Sequence, residues 1–119
     1  MFEVEAPHEL LVCVVMDHHQ VEEILTGFVE LGVRGATVID SRGMGSILGN
    51  EVPIFAGFRT LFPGGGAGTY AILSVVSEEQ VDDAISMADE VCGDLDRPGT
   101  GFIFTVPVGR MKGLAEDLR

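Results

Sequence analysis

"VVMDHHQVEEIL" (14–25) and "VVSEEQVDDAI" (75–85) can be laid side by side with one residue of slack. In each, Val-Val leads into an acidic Gln-Val-x-x segment. The first Val-Val closes "ELLVCVVM" (9–16), an apolar run of strand length. After it, Val21, Ile24, Leu25, Phe28 and Leu31 recur at three- and four-residue spacing and make one helical face. Asp17 is the expected N-cap and Gly32 the expected stop. The second copy behaves alike. "TYAILSVV" (69–76) is a strand, Ser77 and Gln80 stand at capping-box spacing, and Val81, Ala84, Ile85, Ala88 and Val91 form the next stripe.

Working outward, "GATVIDS" (35–41) and "FIFTVPV" (102–108) supply the remaining strands. The order is β-α-β, a long loop, then β-α-β. Two such units predict an α+β, ferredoxin-like sandwich, with an antiparallel four-stranded sheet and two helices on one face. Helices cover only one face, so the other should read polar if it meets water. It does not: Leu10, Val12, Val14 and Met16 alternate with Leu11, Cys13 and Val15. "AILSVV" and "FIFTVPV" match this apart from Ser74 and Thr105. So large an apolar face needs a cover, and the simplest is another copy of the chain.

The chain is 119 residues long, which suits one domain, 1–119, with a tail over 109–119. Nineteen acidic and seven basic residues give a net charge of -12. That balance disfavours nucleic acid and anionic lipid as partners. It fits either solubility or a saline cytoplasm. Cys13 and Cys92 lack metal spacing and suit buried thiols in a reducing compartment. The acidic N-terminus is unlike a signal peptide, and no apolar run reaches the ~18 residues of a membrane span. A cytoplasmic location without membrane insertion is expected.

Three stretches resemble the P-II signalling family: "VEEILTGFVELGVRGATVIDSRGMGS" (21–46), "VVSEEQVDDAISMA" (75–88) and "GTGFIFTVPVGRM" (99–111). The resemblance implies a homotrimer that senses energy, carbon or nitrogen status. It implies an adenine nucleotide or small anion in clefts between subunits, and a long loop that regulates a membrane transporter or metabolic enzyme. By the same resemblance Gly43 and Gly45 face Gly99, Thr100 and Gly101 of a neighbouring subunit across such a cleft. Departures accompany it. Phe102 stands where the family usually has a lysine, Ile47 is nearest to an expected glutamine, and Arg110 and Lys112 only loosely match the tail arginines.

On their own, Gly43 and Gly45 lead into a loop rather than a helix, which rules out a dinucleotide fingerprint. They either let backbone N–H groups approach an anion or provide a hinge with positive φ. Arg97 is the best-placed cation beside the second turn, with Arg42 and Arg59 as assistants or ordinary surface charges. The loop over about 46–68 lies in a stretch, 42–68, holding ten glycines and prolines. In it Val52, Ile54, Phe55, Phe58 and Arg59 form either a partner-docking grip or a hairpin packed on their own subunit. Tyr70, the only tyrosine, lies beyond the loop, so tyrosine modification there is not expected.

His18 and His19 point about 100° apart on a helix and read as solvated, so no metal site is expected. Glu22-Glu23 and Asp82-Asp83 read as first-turn helix acids. No nucleophile has a base partner, so the chain is not expected to be an enzyme. Two alternatives stay open: a structural or interaction trimer without a nucleotide site, and a metal-responsive protein of this fold using the histidines.

Overall fold

Asp17 and Ser77 open the two helices, as their side chains and spacing require. In the computed structural model, which describes residues 7–33, 35–44, 47–48 and 68–114, the Asp17 carboxylate accepts from the His19 amide at 2.9 Å. Helix α1 (His18–Glu30) follows and ends at Gly32, φ +86°. There Val33 N–H donates to the Phe28 carbonyl at 2.8 Å, a left-handed stop that satisfies a terminal carbonyl. At the second helix the Ser77 amide donates to Gln80 Oε1 at 3.0 Å. The other end of the same amide, Nε2, donates to the Leu31 carbonyl at 3.3 Å. Gln80 thus starts α2 (Glu78–Cys92) and caps the end of α1 with one side chain.

The acid pairs are corrected. Glu22-Glu23 and Asp82-Asp83 lie beyond the first turns; Glu78 and Glu79 occupy that of α2, and α1 has no acid there.

Strands β1 (His8–Val15), β2 (Thr37–Ser41), β3 (Thr69–Ser77) and β4 (Phe102–Pro107) form one sheet in the order β2-β3-β1-β4. Every neighbouring pair is antiparallel. The fold is therefore the expected α+β, ferredoxin-like sandwich. Leu11, Cys13 and Val15 of β1 and Ile72 and Val76 of β3 face the helices, and pack with Val21, Ile24 and Phe28 of α1 and Ala84 and Ala88 of α2. Gly27 lets the helices approach: a Cβ there would collide with the Met87 side chain.

The two expected polar exceptions both point inward. Ser74 is buried and its hydroxyl donates to the Gly35 carbonyl at 2.6 Å. Thr105 pairs with Leu11 and shares its helix-facing side. The opposite face therefore carries rows read directly from the register. They are Ile39–Ala71–Val14–Phe102, then Thr37–Leu73–Val12–Phe104, then Val75–Leu10–Val106. Thr37 is its only polar member in these rows, and Phe102, Phe104, Val106 and Ile39 are all exposed.

Cys13 and Cys92 are free and buried, as expected. Burial pushes the Cys13 thiol up to about 12, with Cys92 adding to it. Cys92 is also raised, first by burial and then by Asp89 and Glu23. Among the described residues no helix is long and apolar enough to cross a membrane.

Candidate functional site

At one end of the sheet, β1 and β2 finish while β3 and β4 begin: Ser41 pairs with Thr69, and Val14 with Phe102. The outer strands β2 and β4 stand about 14 Å apart there by strand spacing. Residues 41–44, 95–99 and Gly101 border a half-open cavity of about 670 Å³ at this end. Its floor is the last row of the open sheet face, Ala71, Val14 and Phe102, and Met16, Met44 and Leu95 add apolar wall. Arg42, Gly43, Arg97, Gly99 and Gly101 line the same cavity.

The two glycine turns, expected to face each other from neighbouring subunits, meet within a single chain. One chain brings both to one cavity, because β2 and β4 present their loop-bearing ends at the same end of the sheet. Gly45 and the loop residues Val52, Ile54, Phe55, Phe58 and Arg59 lie outside the described residues.

The two turns hold their glycines for different reasons. Gly99 has φ +80° and Gly101 φ +119°, conformations that L side chains rarely adopt. A Cβ on Gly101 would also press into the Val14 carbonyl. Both are therefore needed by the chain itself to swing into β4. Gly43 lies outside the left-handed region, and a Cβ there would stand in open space at the cavity wall. A positive-φ hinge is not the reason for glycine at 43.

Thr100, also expected at the ligand, is engaged within its own turn. Its hydroxyl, with one proton to give, lies 2.8 Å from the Arg97 carbonyl and 3.0 Å from that of Asp94. It closes its own turn and is not part of the cavity wall. The turn is densely braced. Asp89 accepts from the Leu95 amide at 2.7 Å, and Asp94, itself at φ +105°, accepts from the Asp96 amide at 3.0 Å. Arg97, exposed on this turn, is thereby carried on fixed backbone.

Sequence reasoning missed Ser41 and Thr69, whose hydroxyls meet at 2.6 Å at the cavity edge. The available signal was their position, one on each side of the long loop. It also missed Met16, Met44 and Leu95, whose apolar character did not distinguish them from core residues. The histidines separate: His18 Nδ1 lies 3.4 Å from Glu22 Oε1 and its ring meets Tyr70 edge-on, while His19 faces the groove between the helices. Among the described residues, no group of three or more His, Cys, Asp or Glu side chains is placed to hold a metal.

The sequence model of the nitrogen regulatory protein P-II family fits residues 10–116. The chain belongs to the P-II family. No curated protein matches it. Among solved structures it is similar to PII of Arabidopsis thaliana bound to citrate, with 21% identity and a TM-score of 0.61. That match covers 87% of this chain and 78% of the Arabidopsis chain, and it supports the ferredoxin-like fold of this P-II member.

Proposed function

We propose that this P-II member is a cytoplasmic homotrimeric regulator rather than an enzyme. A small anionic effector, in the first instance an adenine nucleotide, binds in the cavity between residues 41–44 and 95–101. The loop over 46–68, with Val52, Ile54, Phe55, Phe58 and Arg59, passes the occupancy on to a membrane transporter or metabolic enzyme.

The observation that carries the reading is Arg42, Gly43 and Arg97 on one cavity whose floor is apolar. Guanidiniums and open backbone suit an anion; Val14, Ala71 and Phe102 suit a flat apolar body. Gly43 fits an approach by a ligand, since among the described residues no contact requires glycine there. The solved PII from Arabidopsis holds citrate, a small polyanion, which supports the same class of ligand.

The homotrimer rests on the open sheet face. Covering Phe102, Phe104, Val106 and Ile39 would each contribute up to about 1.5–3 kcal/mol before association costs. The floor of the cavity belongs to that face, so a neighbouring copy seated on it would also wall the cavity.

The test is calorimetry with ATP, ADP, AMP and cyclic AMP, with and without magnesium. Saturable heat and a thermal shift are expected from at least one of them. No heat and no shift at millimolar concentration from all four sinks the nucleotide reading. The second reading, an interaction trimer without a nucleotide, is favoured by Thr100 turning its hydroxyl into its own loop. That reading requires a silent titration.

A further inference from the structure

Resting on the cavity being an effector site, we propose that Ser41 and Thr69 form a joint that the effector holds together. Occupancy of the cavity and the parting of β2 from β3 at this end then oppose each other.

Three observations meet on these two residues. They are the last partners of the β2–β3 ladder, and the chain from 42 to 68 leaves from one and returns to the other. Their hydroxyls meet at 2.6 Å, and Thr69 is buried. Both stand on the wall of the cavity. A second copy seated on the sheet face adds wall elsewhere, but this corner comes from one chain because both residues do.

The end of a ladder opens more readily than its middle, since its last pair has ladder neighbours on one side only. Here a side-chain bond reinforces that last pair. Parting the strands removes the corner, because Ser41 moves with β2 and Thr69 with β3. A ligand resting against both therefore binds the joined form better than the parted one. Such a preference is reciprocal. A partner that grips the chain between 42 and 68 and draws its two ends apart expels the effector, and a bound effector resists that partner.

The test adds whichever of ATP, ADP, AMP or cyclic AMP gives heat, at about 100 times its Kd, and reads amide hydrogen exchange by nuclear magnetic resonance. The Ser41, Thr69 and Tyr70 amides are expected to slow by about 100-fold, the full linkage for a ligand that binds only the joined form. The Thr37 and Val38 amides, at the other end of β2, are expected to change by less than about twofold. Thr69→Val removes one hydroxyl and keeps the branched shape. Without nucleotide it should speed exchange at the joint by about tenfold, the loss of one hydrogen bond, and Thr69→Ser should restore it. Exchange at the joint unmoved by a bound nucleotide overturns the proposal and leaves the effector site standing. Equal slowing at both ends of β2 also overturns it, because the ligand then stabilises the whole sheet. Exchange as slow in Thr69→Val as in the unaltered chain shows that the hydroxyl bond is not the tie. Heat from none of the four nucleotides instead removes the effector site on which the proposal rests.

Discussion

Single glycines decide what the cavity end of this molecule tolerates. Gly101→Ala meets both a left-handed φ and the Val14 carbonyl, in a place where backbone cannot give way. A loss of at least ~3 kcal/mol is expected in chemical denaturation, because the clash adds to the ~1–3 kcal/mol of dihedral strain. Gly43→Ala meets no described residue and should change stability by less than ~0.5 kcal/mol while weakening effector binding. Equal destabilisation by the two would show that Gly43 also serves the fold. In the sequence these Gly-x-Gly pairs look alike. What separates them is dihedral angle and long-range contact, neither of which composition encodes. Thr100 was expected to face a ligand, although a hydroxyl inside "PGTG" commonly bonds its own turn.

Cys13 belongs to the same scale. Its thiol titrates near 9.0 when unfolded and about 12 when folded, so between these values the unfolded chain holds fewer protons. Stability is unaffected by this group below pH 9 and falls as pH rises across that window. Cys13→Ala should flatten the alkaline slope of the denaturation midpoint, although it lowers the midpoint itself. A slope unchanged in the variant would put the alkaline loss elsewhere. In the unaltered chain at pH 8, DTNB should reach Cys13 only on unfolding.

Among the elements, the helices were the most legible. Stripe, N-cap and stop residues were all local, and Asp17, Gly32, Ser77 and Gln80 act where the spacing puts them. The reach of Gln80 to Leu31 was not legible, because 49 residues separate the two. Gln80→Ala removes both bonds at once and should cost about 1–2 kcal/mol, more than an ordinary exposed cap substitution. Gln80→Glu keeps the acceptor toward Ser77 but loses the donor toward Leu31. It should recover part of the loss, and no recovery would mean that the α1 end dominates.

For the whole molecule, two-faced apolar strands foretold an uncovered sheet, and the register places both hydroxyl-bearing exceptions on the helix side. Fold class was readable from the repeated β-α-β order, and the open face from the two-faced strands. The cavity was not, because it depends on two chain segments meeting across the width of the sheet. Phe104→Asp, at the middle of the open face, should shift the molecule to monomer in light scattering at micromolar concentration while far-ultraviolet dichroism is retained. A chain that is already a monomer without the substitution would overturn the homotrimer.

Ser41 and Thr69 touch through their hydroxyls although 28 positions separate them. For the evolution of this chain, that closure makes the intervening segment an insertion port. When both ends are anchored by strand pairing, doubling the length between them costs only about 0.6 kcal/mol in closure entropy. The segment can be lengthened, shortened or exchanged with little penalty to the sheet. An exchange of that segment would leave the pairing of β2 with β3 beneath it in place.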